Sequence, residues 1–367
     1  MNYEKEKKLV LQLCRFIEPD AARIEALMKE SLDFPYVLGQ LLYNRMGGAA
    51  FSVLRDIGAL GQVNREFRNA LKTAYDDGCV KAASFQKALE TLGEVLEGAD
   101  FPYAVLKGGV LVDLYPLGMR TSNDLDILIE GRCIPALTAR LEAAGFRQGY
   151  VRNGVFQECT RAQIVSARMN RGETVPYVKE IGLPSMPFLE IDVNFSLDFK
   201  ARQETDAVAA LLRRAEHGAP AGNRRLDTLC PEDFLVHLCA HLYKEAATFQ
   251  WVAMGRDQSL YKYADIYLWL TRRLEEGFAR RFAEQAFRTG QQPACYYALH
   301  HTRVLFGMRQ PVLDRLLAQL APAGAGALTG VFDPQSGRTY RVPMDIEEWI
   351  FCSDRKEQLY EAGHDAE

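Results

Sequence analysis

The first hundred residues are organised by helical periodicity. Val10, Leu13, Cys14 and Ile17 recur at the spacing that puts side chains on one face of a helix, and Pro19 ends that stripe. Asp20 is placed to cap a second helix whose stripe is Ile24, Leu27 and Met28. A third helix is expected from near Pro35 to the Gly47, Gly48 pair. From about Val63 to Leu96 the spacing of Phe85, Leu89, Leu92 and Leu96 predicts one long helix, or two joined near Gly78. The period then changes. Phe101 to Leu106 reads as a short buried strand, Val110 to Tyr115 as a short helix closed by Pro116, and Leu125 to Ile129 as a second buried strand. Ile134, Leu137 and Leu141 mark a helix that ends at Gly145. Residues 146–180 read as strands and loops, and Phe188 to Phe195 as a strand. Helical spacing returns after residue 205, with a clear start at Cys230, Pro231, Glu232 and Asp233, where proline and acids suit a helix N-terminus. That helix is expected to reach about Ala247. Another covers Leu260 to Leu270, and two more fall within 275–320. A hairpin is expected between Gly330 and Pro343, and a charged, fraying end from Ser353.

These elements predict an α+β fold with a small mixed sheet between two helical regions. Four segments follow: an N-terminal helical region over 1–97, a catalytic core over 98–204, a C-terminal helical region over 205–325, and a hairpin and tail over 326–367. The 367 residues suffice for two or three packed units. Hydrophobic content of 48% and charged content of 25% are ordinary for a globular chain. No apolar run approaches the length of a membrane span, and the N-terminus lacks a signal-peptide pattern. Eight scattered cysteines form no C-x-x-C pair and read as buried thiols, which places the chain in the cytoplasm. A net charge of −4 argues against a dedicated nucleic-acid binder while leaving a local basic patch open.

The candidate chemistry lies between Tyr103 and Glu130, with one later strand. Asp124 and Asp126 are two residues apart on a strand, so their side chains share a face. Two adjacent carboxylates repel, and a cation between them relieves the repulsion. Hard oxygen donors at this spacing suit Mg²⁺ or Mn²⁺ together with substrate phosphates. Lys107, Gly108 and Gly109 form a turn after a strand, where a glycine backbone approaches a phosphate closely and the lysine adds positive charge. On Phe188 to Phe195, Glu190, Asp192 and Asn194 alternate with Leu189, Ile191 and Val193. A strand with that acidic face, beside the first, completes a three-carboxylate cage suited to in-line attack on phosphorus. Arg120 precedes the acids and is a candidate triphosphate contact. His237 and His241 share a helical face at a spacing that can hold zinc, although no third ligand is evident; Lys244 follows on the same helix.

Leu106, Lys107 and Gly108, then Tyr115 and Pro116, Arg120, and the run Asp124 to Leu128 resemble an uncharacterised bacterial nucleotidyltransferase family of the DNA polymerase β superfamily. The helix from Cys230 to Glu245 is similar to the one that follows the core in that family. The resemblance implies a nucleotidyltransferase core, a nucleoside triphosphate substrate, Gly108 and Gly109 as the phosphate turn, and Asp124 and Asp126 as metal ligands. It makes Asp192 the third acid, which assists deprotonation of the acceptor. Glu190 shares that face and stays a rival, and the interval from Gly109 to Asp124 is longer than in the superfamily at large. The expected reaction moves a nucleoside monophosphate to an acceptor with release of pyrophosphate. A small molecule or a protein is favoured as acceptor over nucleic acid. Two other readings stand beside it: an inactive nucleotide- or protein-binding module on the same fold, and a metal phosphohydrolase, which the shortage of suitably placed histidines disfavours.

Overall fold

The apolar stripes of the N-terminal region become helices at Glu4–Cys14, Ala21–Met28, Phe34–Tyr43 and Gly47–Asp56. Asp20 and Asp33 cap the second and third through their carboxylates, each accepting a backbone N–H three residues on at 2.9 Å. The Gly47, Gly48 pair was expected to end a helix, and it begins one instead. A Cβ on Gly47 would stand 2.9 Å from Leu42 Cδ2 and 3.0 Å from Ala74 Cβ, so close packing, not termination, demands glycine there. The long helix is a single element of 32 residues, Arg65–Leu96, continuous through Gly78.

The computed structural model describes residues 3–197, 206–322 and 326–362, apart from the side chains of 170, 171 and 206. The expected boundaries after 204 and 325 lie outside the described residues. The chain divides into two compact units, Met1–Asp76 with Leu235–Glu367, and Asp77–Phe234.

The unit Asp77–Phe234 holds the sheet. Its strands are β1 (Tyr103–Val105), β2 (Asp124–Ile129), β3 (Arg147–Arg152), β4 (Val155–Glu158), β5 (Tyr177–Leu183), β6 (Met186–Asn194), β7 (Glu216–Ala221) and β8 (Arg224–Thr228). They lie in the order β4-β3-β5-β6-β2-β1-β8-β7. The sheet is mixed, as expected, with β2 parallel to β6 and β1 parallel to β8. It is not small. Eight strands replace the few expected, because β7 and β8 form a hairpin in a stretch read as helical and extend the sheet beside β1. The segment read as strands and loops likewise contains a helix, Arg161–Arg171.

One face of the sheet is apolar. Leu125, Ile127 and Ile129 of β2 and Leu189, Ile191 and Val193 of β6 pack with Ile134, Leu137 and Leu141 of the helix Ile134–Ala143. Phe85, Leu89 and Leu92 of the long helix join the same core. Burying an apolar side chain of this size contributes about 1.5–3 kcal/mol, so the register of β2 against β6 is held by its apolar face. A one-residue slip would turn that face outward. The opposite faces of the same strands carry the acids.

The unit formed by Met1–Asp76 and Leu235–Glu367 is built mainly of helices. The helix expected from Pro231 runs Pro231–Ala246, and is followed by Phe249–Ala253 and Leu260–Arg273. Where two helices were expected over 275–320 there are three, Glu276–Arg288, Gln292–Leu305 and Pro311–Leu320. The hairpin expected near Gly330 forms between β9 (Gly330–Phe332) and β10 (Thr339–Arg341), joined by β11 (Tyr360–Glu361). The segment from Ser353 to 362 is therefore anchored rather than frayed. Arg355 is buried there, donating to Asp257 Oδ1 at 2.7 Å and to the carbonyls of Trp349 and Ile350. Residues 363–367 lie outside the described residues.

Candidate active site

The parallel pairing of β2 with β6 sets the geometry. Asp124 lies opposite Glu190, Asp126 opposite Asp192, and Leu128 opposite Asn194. Residues paired across neighbouring strands share a face, about 4.8 Å apart along the hydrogen-bonding direction. Two residues distant in sequence from the first pair thus join it, and four carboxylates occupy one patch of sheet. Both candidates for the third acid are in place. Asp192 stands beside Asp126, the more buried of the pair at 4% exposure, and Glu190 stands beside Asp124.

Crowding acids into a partly buried patch raises their affinity for protons. Burial first, then the charge of Asp126, pushes the Asp124 carboxyl above its usual range; Lys107 and Arg120 act in the other direction. Burial pushes Asp192 up well above its usual value, and the charges of Asp126, Asp124 and Glu173 add to the effect. Glu190 is raised by burial and then by Asp124. Every oxygen donor on this face is of the hard type that binds Mg²⁺ or Mn²⁺.

Lys107 answers part of that charge. Its Nζ stands 2.7 Å from Asp126 Oδ1, with side chains 18% and 5% exposed. Asn194 Nδ2 donates to the same oxygen at 3.4 Å. As the side chains stand, no three His, Cys, Asp or Glu residues among those described converge on one point to enclose an ion. The carboxylates that could hold one are Asp124, Asp126, Asp192 and Glu190.

The turn after β1 is tightly built. Lys107 has φ 40°, a region that disfavours a side chain, and lies between β1 and a four-residue helix, Gly108–Leu111. The N–H groups of Gly109 and Val110 donate to the carbonyls of Leu106 and Lys107, both at 3.0 Å. Packing explains both glycines. A Cβ on Gly108 would meet Ser122 Oγ and stand 3.1 Å from Phe85 Cζ, and one on Gly109 would overlap Val105 Cγ1. Gly109→Ala is expected to destabilise the unit by about 1–3 kcal/mol through overpacking, read as a lower midpoint in urea. Unchanged stability would show that the turn relaxes freely.

Arg120, 9% exposed, donates from Nη1 to Ser122 Oγ at 3.0 Å, and its guanidinium lies 6.0 Å from the Tyr115 ring centroid. It sits inside the loop that leads to Asp124 and steadies it. Sequence reasoning missed three features here. Lys81 of the long helix donates to Asn123, next to Asp124. Glu173 bridges to Asn194 and so brings a further acid near Asp192. Lys107 is an ion-pair partner of Asp126 and not only a neighbour of the turn. Each depends on contacts across tens of residues, and no local pattern marks them.

His237 and His241 belong to the other unit. Their rings lie 6.2 Å apart, and His241 Nε2 is 3.6 Å from Glu245 Oε1. No zinc-type cluster forms around them among the described residues.

No helix among the described residues is long and apolar enough to cross a membrane. A search of curated proteins found no match. A profile described as an uncharacterised nucleotidyltransferase matches residues 30–307, about three quarters of the chain. A match of that extent includes β1, the glycine turn and both acidic strands, and the chain belongs to this uncharacterised nucleotidyltransferase family.

Proposed function

We propose that the protein is a metal-dependent nucleotidyltransferase with a core of the DNA polymerase β type. It would move a nucleoside monophosphate from a nucleoside triphosphate to an acceptor and release pyrophosphate. The observation that supports this most is the pairing of Asp126 with Asp192 and of Asp124 with Glu190 on one face, where burial and repulsion raise the proton affinity of three of the four acids. Such a cluster is costly to keep unless a cation or a phosphate-bound cation uses it.

In this reading Asp124 and Asp126 hold Mg²⁺ or Mn²⁺, with Asp192 or Glu190 as the third ligand. The metal, when bound, supplies charge neutralisation at the α-phosphate and at the departing oxygen. Lys107 and Arg120 offset the remaining negative charge of the triphosphate, with the glycine turn holding its tail. Asp192 takes the proton of the attacking hydroxyl, a role helped by its raised proton affinity. The acceptor oxygen forms a bond to the α-phosphorus as the bond to the β-phosphate oxygen breaks, and that electron pair leaves with pyrophosphate. The chain's own contribution is positioning and charge placement.

One observation favours a second reading. The Lys107 ammonium already compensates the charge of Asp126, the most buried of the four acids. A catalytically inactive module that binds a nucleotide or a protein would look the same. Incubation with a panel of nucleoside triphosphates, Mg²⁺ or Mn²⁺ and cell extract as acceptor source separates the two. Pyrophosphate release that requires the metal supports the enzyme. No release from any triphosphate, with no calorimetric binding of Mn²⁺, supports the inactive module.

A further inference from the structure

The side of the sheet turned away from the acids carries a groove of its own. Gln148 of β3 pairs with Tyr177 of β5, Tyr177 with Ile191 of β6, and Ile191 with Leu125 of β2. This row lies on the apolar face, one residue out of step with the row that holds Glu190 and Asp124. Two helices meet it. The helix Ile134–Ala143 offers Pro135, Thr138, Ala139 and Glu142, the i, i+3, i+4, i+7 spacing of a single face. The helix Arg161–Arg171 offers Ile164 and Arg168, one turn apart. Between the helices lies a groove of about 320 Å³, to which the sheet contributes Gln148 and Tyr177. Small-molecule sites span roughly 300–1,000 Å³, so this one suits a single small metabolite.

Three kinds of surface line the groove. Ile134, Pro135, Ala139 and Ile164 are apolar. Thr138 Oγ1 and Tyr177 Oη are hydrogen-bonded at 2.5 Å, and Gln148 Nε2 donates to the Val175 carbonyl at 3.2 Å, so the neutral polar groups are fixed in place. Glu142 and Arg168 are exposed and of opposite sign. Among the described residues neither side chain takes part in an ion pair or a hydrogen bond. Both charges reach the Tyr177 phenol. Burial is the first cause that raises its proton affinity; Glu142 adds to the rise, while the Thr138 bond and Arg168 oppose it. A cation and an anion that border one groove, and are not paired with each other, leave room for a molecule that carries both signs.

A free α-amino acid has that pattern. Its carboxylate matches the guanidinium fork, which can hold it through two parallel N–H bonds. Its ammonium matches a carboxylate, and an apolar side chain matches the remaining wall. A nucleotide does not fit the same charges, because its phosphates would find one arginine and meet Glu142.

We propose that this groove binds a free α-amino acid with an apolar side chain, its carboxylate on Arg168 and its ammonium on Glu142. The site is separate from the acids and goes beyond the nucleotidyltransferase reading, since it needs neither metal nor triphosphate. It lies on the reverse of β6, where Tyr177 pairs with the residue between Glu190 and Asp192.

The test is isothermal titration calorimetry of the full chain with leucine, isoleucine, valine, methionine and phenylalanine, and with aspartate and lysine for comparison. At least one apolar amino acid is expected to bind saturably and to raise the melting midpoint. Its amide and its N-acetyl derivative, each lacking one charge, are expected to bind roughly tenfold more weakly or worse. Arg168→Gln and Glu142→Gln are expected to weaken binding by a similar factor. Ala139→Phe, which fills the groove and keeps both charges, is expected to abolish it. All three positions are exposed, so the variants should melt with the unsubstituted protein when no ligand is present. If one melts early, the derivative series decides on the unsubstituted chain. No binding by any apolar amino acid overturns the proposal, as does binding indifferent to these derivatives and variants. Aspartate or lysine binding as tightly as the apolar series overturns it too. So does displacement of the amino acid by a nucleoside triphosphate with Mg²⁺, which would place it on the acidic face.

Discussion

Asp124→Asn and Asp126→Asn are expected to reduce metal-dependent pyrophosphate release by roughly a thousandfold each, which corresponds to about 4 kcal/mol of transition-state stabilisation. Amide and carboxylate have nearly the same shape, so packing is preserved while the charge that a divalent cation requires is removed. The double substitution is expected to cost little more than either single one, because two ligands of one ion act as a unit. Asp126 has a second partner, Lys107 at 2.7 Å. Asp126→Asn leaves that ammonium without its carboxylate, and this variant is expected to be the less stable of the two. Steady-state release measured over a range of Mg²⁺ concentrations checks the claim. Activity within tenfold of the unsubstituted protein at saturating Mg²⁺ would remove both residues from the chemistry.

Asp192→Asn is expected to have opposite effects on activity and on stability. Burial and the charges of Asp126 and Asp124 raise its carboxyl well above the usual value. The folded state therefore binds a proton more tightly than the unfolded chain, whose aspartates titrate near 3.9. The sign follows directly. The contribution of this group to stability is fully present below about pH 4 and is lost as pH rises through the higher folded value. Once pH has risen past that value, without metal, Asp192 is a liability. The asparagine variant should melt higher than the unsubstituted protein at pH 8, with the gain shrinking toward pH 5, and each kcal/mol relieved should move the midpoint by roughly 2–4 °C. The same variant is expected to lose about a hundredfold or more of activity as the proton acceptor disappears. Mg²⁺ should stabilise the unsubstituted protein more at pH 8 than at pH 5, since protonation competes with the ion. A variant that melts lower at pH 8 would show that Asp192 is held by bonds that favour its charge.

The strands that carry the acids were legible because their apolar partners alternate cleanly. Leu125, Ile127 and Ile129, and Leu189, Ile191 and Val193, each declare one face, and the acids fall on the other. That the two faces coincide is a matter of register, and no local pattern contains it. It comes from the pairing of Asp124 with Glu190 across more than sixty residues. Helices with strong stripes, such as Arg65–Leu96 and Pro231–Ala246, were equally legible.

The misread elements have weak apolar signals. The helix Arg161–Arg171 is polar on most of its surface, yet it carried a readable start. Thr160 and Gln163 form a capping box, and Gly172 at φ 67° closes the other end. Attention to caps rather than stripes would have found it. The β7–β8 hairpin buries only Ala219, Ala221 and Leu226 with Thr228, so its alternation is faint, although Gly222 and Asn223 mark the turn. Its pairing beside β1, where Thr228 Oγ1 donates to the Val105 carbonyl at 2.9 Å, is long-range and left no trace in the local pattern. Gly47, Gly108 and Gly109 show a further limit. Packing demands glycine at each, in part from residues distant in the chain such as Ala74 at Gly47 and Phe85 at Gly108, and a local reading assigns them to turns.

The most direct test of the central claim is a crystal structure of the protein with Mg²⁺ and a non-hydrolysable nucleoside triphosphate. The account predicts Mg²⁺ at about 2.1 Å from oxygens of both Asp124 and Asp126, a phosphate oxygen completing its shell, and Lys107 turned from Asp126 toward the triphosphate. A triphosphate bound with no ion between it and these two aspartates, and Lys107 still paired with Asp126, would contradict it.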